Sequence, residues 1–142
     1  MILLDTDHIT VLRYVDDPRS LRLKNRLLIA IETDDVATTI ITVEEQMRGW
    51  LTRLHAERNI RQQIFWYEKL FSLLGFFQSW NIALIDDSSV RQFLKLRDQR
   101  IRIGTQDLKI ASIALARDAL LLSANLRDFT KVPGLRVEDW LI

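Results

Sequence analysis

Residues 102–129, "RIGTQDLKIASIALARDALLLSANLRDF", decide how the chain folds. Leu108, Ala111, Ser112 and Leu115 recur there at helical spacing, and the apolar run at 120–124 reads as a buried strand. Asp107 stands where that helix begins, and Asp128 just past the strand. Working outward, Ile2–Leu4 and residues 36–41 and 82–85 repeat the pattern of a short apolar run ending in polar residues. Helical faces lie between them: Met47, Trp50, Leu51 and Leu54 form one, and Val90, Phe93, Leu94 and Arg97 a weaker one. Strands alternating with helices imply an α/β fold whose central, mostly parallel sheet is covered on both sides.

At 142 residues and 48% apolar, the chain is the size of one domain, 1–142, with enough apolar matter for a core. It has no cysteine, which excludes a disulfide framework and a thiolate metal site and fits a reducing compartment. Asp5 and Asp7 interrupt the start, where no signal-peptide pattern is seen, and no stretch is long and apolar enough to span a membrane. The cytoplasm is therefore the expected location. With 20 Lys+Arg against 19 Asp+Glu, net charge says nothing for nucleic acid, so such a partner rests on local clusters. Gly and Pro number only four and two, and no repeat or low-complexity tract marks a second domain.

Residues 60–80 carry two apolar stripes, one of Ile60, Ile64, Tyr67, Phe71 and Leu74, the other of Trp66, Leu70, Leu73 and Phe77. A helix apolar on two faces is either deep in a core or turned toward a partner.

Acids follow the predicted strands. Asp5 ends the first, Glu44 and Glu45 come after the second, and Asp107 and Asp128 flank the last. Each has a local explanation. Thr42 to Glu45 spells a capping box, Thr105 could cap the helix whose dipole Asp107 complements, and Asp5 and Asp128 suit turns or N-caps. Together they say more, because the carboxyl ends of parallel strands share one edge and ligands bind there. Converging carboxylates repel unless a cation neutralises them, and oxygen-only ligation favours Mg²⁺ or Mn²⁺. His8 and His55 are too few for a zinc site.

The opening "LLDTD" resembles the D-x-D loop of haloacid-dehalogenase-type phosphatases, with Asp5 as nucleophile, Asp7 as general acid, and Asp86 and Asp87 posing as metal acids. The remaining motifs of that family do not follow in order. A resemblance covering nearly the whole chain is to the PIN-domain family, in particular VapC-type ribonuclease toxins. It runs through "LLDTDHI", "ITVEEQMRG" and the closing "GTQDLKIA", "NLRDF" and "EDW". It implies a PIN-like three-layer α/β/α domain and places the family's four acids on Asp5, Glu45, Asp107 and Asp128. Glu45 is chosen over Glu44 because the family's glutamate stands four before a glycine, here Gly49. Ser123 and Asn125 fall where small polar residues often flank the site, and Gln46 departs from the usual leucine.

The activity so implied is endoribonuclease cleavage of RNA. Asp5 and Asp107 would be the primary ligands of Mg²⁺ or Mn²⁺, and Glu45 and Asp128 a further ligand, a water positioner or a second metal site. Thr6 would orient Asp5, and Asp7 would be an early-helix acid. A homodimer restrained by a cognate antitoxin is also implied, with residues 60–80 and the Met47, Trp50, Leu51 face as contacts. Arg97, Arg100, Arg102 and Lys109, with Arg48 and Arg127, are either RNA contacts or solvated charges. The alternative from another class is a catalytically silent PIN module that binds RNA or a partner only.

Overall fold

The computed structural model describes residues 1–142. Its centre is a five-stranded, wholly parallel sheet. The strands are β1 (Ile2–Leu4), β2 (Val36–Thr39), β3 (Ile82–Ala83), β4 (Leu120–Leu122) and β5 (Arg136–Glu138), in the spatial order 3-2-1-4-5. The helices are α1 (Thr6–Arg13), α2 (Pro18–Ala30), α3 (Ile40–Ala56), α4 (Ile60–Gln78), α5 (Asp87–Asp98), α6 (Thr105–Ala116) and the single turn α7 (Leu126–Phe129).

Strands that are apolar throughout, such as "ILL" and "LLL", suit a sheet buried on both faces, and the period of two sends alternate residues to opposite layers. Leu3 and Leu121 join Leu96 of α5, Ile110 and Ile113 of α6, and Phe129 in one core. Ile2, Leu4 and Leu122 join Ile9 and Leu12 of α1, Leu23 and Leu27 of α2, and Leu73 and Phe77 of α4 in the other. This is the expected three-layer arrangement.

Four details differ from the sequence reading. The second strand ends at Thr39, not at residue 41, because its β1 partner ends at Leu4, opposite Thr38. Thr39 then caps α3, its Oγ1 accepting from the Thr42 N–H at 3.1 Å, so the capping box at Thr42 and Glu45 does not form. The third and fourth strands are shorter than the runs at 82–85 and 120–124. The edge strand β5 has no apolar run to announce it: Arg136 and Glu138 are exposed and only Val137 is half-buried. Because the cap fixes where α3 begins, Thr39→Ala should lower stability by about 1 kcal/mol in urea denaturation.

The two stripes of α4 part company as its two-faced pattern required. Leu73 and Phe77 are in the core, with Trp66 and Leu70 half-buried, whereas Ile60, Ile64, Tyr67, Phe71 and Leu74 are exposed, Phe71 at 79%. No helix is long and apolar enough to cross a membrane.

The order 3-2-1-4-5 reverses direction between β1 and β4, so the loops after these two strands open the crevice where open α/β sheets bind ligands.

Candidate active site

Asp5 follows β1 at that crevice. It is the N-cap of α1, Oδ1 accepting from the Thr6 N–H at 2.7 Å, while Oδ2 accepts from the Ser123 hydroxyl past β4, also at 2.7 Å. The local cap explanation is therefore correct and does not exhaust the residue. Asp5 is only 6% exposed. Burial, then the charge of Asp7, push its pKa from 3.8 up to about 7 against those two hydrogen bonds.

Asp107 lies in the first turn of α6, whose N-cap is Gly104 without a side-chain cap bond, so Thr105 does not play the capping role. The Asn125 amide donates at 3.2 Å to both Asp107 Oδ2 and Asp128 Oδ2, joining α6 to the turn after β4. The Asn125 N–H in turn donates to Ser123 Oγ at 3.0 Å. Ser123 and Asn125 thus connect three of the four acids. Burial and then the charge of Asp128 raise Asp107, whereas the Asn125 amide chiefly lowers Asp128, with Lys131 helping.

Glu45 sits in the second turn of α3, half-buried, with Oε1 accepting from the Thr6 hydroxyl at 2.9 Å. Burial raises its pKa, and the charges of Asp107 and Glu44 add to this against the Thr6 bond. Glu44 is exposed and turned to Gln106 Nε2 at 2.7 Å and Arg48 at 2.8 Å. Glu45 therefore faces the other acids, as preferred. The Thr6 hydroxyl orients Glu45, and only its backbone N–H serves Asp5, which corrects the expected role.

Asp7 does more than complement a helix dipole. Its Oδ2 accepts from the Ala124 N–H at 2.8 Å, and its Oδ1 meets His8 Nδ1 at 2.6 Å. His8 is fully buried, and its Nε2 accepts from the Trp140 N–H at 3.1 Å, which leaves the ring proton on Nδ1 for Asp7. Burial works to raise Asp7, but the His8 and Ala124 bonds outweigh it and hold the carboxyl below its ordinary range. Asp7 is thereby a fixed anion behind Asp5. Sequence spacing hid this chain of contacts, since Trp140 lies 132 residues from His8. His55 is exposed.

The phosphatase motif does not assemble. Asp86 caps α5 through the Ser89 N–H and hydroxyl, both at 2.9 Å, beyond β3, which β2 separates from β1.

No three of these carboxylates are posed to close around one ion. The donor set nevertheless fits a hard divalent ion that takes one or two carboxylates and keeps its waters. Asp5, Glu45 and Asp107, all oxygen donors, are all raised by burial first and then by the charge of neighbouring carboxylates, Asp7 and Asp107 on Asp5, Asp107 and Glu44 on Glu45, and Asp128 and Asp7 on Asp107, the repulsion a cation relieves.

No protein-family model matches the chain. It is 29% identical over 110 residues to the tRNA(fMet)-specific endonuclease VapC of Salmonella typhimurium, covering 78% of this chain and 79% of that one. Over 46 residues it is 39% identical to ribonuclease VapC2 of Rickettsia felis, covering 32% and 34% of the two chains. The solved structure of VapBC-1 from nontypeable Haemophilus influenzae matches all of both chains with a TM-score of 0.77 at 23% identity, a likeness of fold.

Proposed function

We propose that this chain, a VapC-type PIN-domain protein in sequence and fold, is a metal-dependent endoribonuclease and the toxin of a toxin–antitoxin pair. The observation that carries the reading is the convergence of Asp5, Glu45, Asp107 and Asp128 from four different elements onto one sheet edge. A purely binding module has no use for buried carboxylates that raise one another's pKa. The whole of 1–142 acts as one domain, working in the cytoplasm.

Asp5 and Asp107 are the primary ligands for Mg²⁺ or Mn²⁺, with Asp128 beside them. When bound, the divalent ion supplies Lewis acidity toward the phosphoryl oxygens and makes water a better nucleophile. Ser123 and the Thr6 N–H hold one Asp5 oxygen each, leaving each oxygen a lone pair to offer. Glu45 has Oε1 pinned by Thr6, so Oε2 is free to accept a hydrogen bond from water aligned for in-line attack on the phosphodiester. Asn125 keeps Asp107 and Asp128 apart at a fixed spacing through one amide.

The test is cleavage of end-labelled total RNA by the purified protein with Mg²⁺ or Mn²⁺ and with EDTA. Discrete cuts that disappear in EDTA are expected. RNA left intact by antitoxin-free protein in either metal would sink the nuclease reading.

The exposed face of α4 is the contact with a second copy or with the antitoxin, where an amphipathic segment would fit. Phe71→Ser should therefore leave the melting temperature nearly unchanged and weaken self-association or antitoxin capture, read by sedimentation. Intact assembly in both respects would remove α4 from the interface.

A further inference from the structure

Beyond Glu45, the surface of α3 falls into two adjoining hollows. One, of about 200 Å³, is walled by Thr10, Tyr14, Gln46 and Trp50. The other, of about 360 Å³, is walled by Arg48 and Thr52, and the two share Glu45, Gly49 and Arg53. Gly49 is their common floor. Glycine inside a helix is disfavoured, yet a Cβ at 49 would meet nothing within 4 Å, so no neighbour in the folded chain calls for it. What a side chain there would occupy is the hollow itself.

Arg53 brings unpaired positive charge to both walls, and Arg13, which lines neither hollow, stands beside them at Trp50 and Phe76. The Arg13 and Arg53 guanidinium carbons lie 5.9 and 5.5 Å from the Trp50 ring centroid, and neither side chain has a carboxylate within ion-pair distance. Arg13 is oriented by Gln46 Oε1 at 3.2 Å, while Gln46 Nε2 donates to Thr10 Oγ1 at 2.9 Å. Gln46, the departure noted in the sequence, therefore locks α3 to α1 and aims Arg13. Tyr14 stands at the rim, 53% exposed. Arg97, Arg100 and Arg102, by contrast, border none of the five hollows on this surface.

A polar, cationic hollow sharing a wall with the acid cluster does not suit an apolar helix. The apolar hollow between α2 and α4, lined by Leu12, Leu27, Leu28, Ile31, Phe76 and Trp80, suits one better. We infer that the α1–α3 hollow is a nucleotide subsite: the RNA strand leaves Asp5 and Asp107, passes Glu45 and crosses Gly49. One base stacks on Tyr14, and its phosphate lies against Arg53. The inference rests on the endoribonuclease reading and assigns where its substrate runs. Base–aromatic stacking tolerates any base, so Tyr14 adds affinity more than sequence preference.

The test measures kcat and KM on a cleaved RNA, and anisotropy of a labelled, uncleavable 2′-O-methyl oligoribonucleotide, for wild type, Gly49→Ala, Gly49→Leu, Tyr14→Ala and Arg53→Gln. Gly49→Ala should melt higher than wild type, the helix gaining propensity. Gly49→Leu should fill the hollow and weaken oligonucleotide binding about 10-fold or more, with KM rising and kcat little changed. Tyr14→Ala, at a position 53% exposed, should weaken it by about 10-fold. Arg53→Gln should flatten the salt dependence of binding. Wild-type affinity and KM in both Gly49→Leu and Tyr14→Ala, beside a wild type that cuts RNA, would overturn the subsite and leave the nuclease standing. Weaker self-association with unchanged RNA affinity would also overturn it, giving the hollow to a protein contact. A wild type that neither cuts nor binds RNA would fail the nuclease reading itself.

Discussion

Asp5→Asn protein is expected to lose RNA cleavage by a factor of about 10³ or more, with its fold intact. Lewis-acid stabilisation by a divalent ion is worth several kcal/mol, and about 1.4 kcal/mol corresponds to each tenfold in rate. Asparagine keeps the shape of the side chain. Its carbonyl can still accept from the Thr6 N–H, and its amide can donate to Ser123 Oγ, so the two contacts at 2.7 Å survive in altered polarity. What disappears is the negative charge. Asp107→Asn should behave similarly, and the double variant should be little worse than either alone, because ligands of one ion act as a unit. Ser123→Ala, which removes the hydroxyl that holds Asp5 and receives the Asn125 N–H, should cost about 10- to 100-fold. Cleavage equal in wild type and Asp5→Asn would point to a contaminating nuclease or a different site.

The acids were legible in the sequence because the rule that exposes them is local: a strand ends, and the next polar residue sits on the ligand-binding edge. Asp5 needed only that rule, whereas Asp107, at the start of α6, and Asp128, in the turn α7, were singled out by the family motifs around them. The groups that orient them were not legible in the same way. Thr6 reaches Glu45 across 39 residues, Gln46 reaches Thr10 across 36, and His8 reaches the Trp140 N–H across 132. Such pairs leave no spacing signal, since their proximity is made by the packing of α1 against α3 and against the segment after β5. The start of α3 was misread for a different reason. Thr39 and Thr42 are both competent caps three residues apart, and the end of β1 at Leu4, which propensity cannot see, selects the first. The strand β5 escaped because its neighbours cover only one edge, and an exposed edge strand needs no apolar run.

The metal-free protein should lose stability as pH rises from 4 to above 7, and Asp5→Asn should remove the share of that loss that Asp5 contributes, leaving the smaller shares of Glu45 and Asp107. The pKa of Asp5 is pushed from 3.8 to about 7, by burial first and then by Asp7. Between those values the folded chain holds a proton that the unfolded chain has released, so stability declines with increasing pH. The contribution is fully present below pH 4 and lost as pH passes 7, in total about 4 kcal/mol at about 1.4 kcal/mol per pH unit. Asp7, pulled the other way by His8 and Ala124, contributes the opposite slope at lower pH. The quantity to measure is therefore the difference between wild type and Asp5→Asn in urea denaturation at several pH values, with EDTA present. At pH 8 the variant should be the more stable, and a flat difference across the range would mean that Asp5 is not held in its raised state. Adding Mn²⁺ at pH 8 should then restore wild type by about 2.7 kcal/mol at a hundred times the dissociation constant, and leave Asp5→Asn nearly where it was. On the proposed reading the residue that destabilises the empty fold is also the one that would hold the ion, so the strain of a buried carboxylate would become affinity for the cation that relieves it.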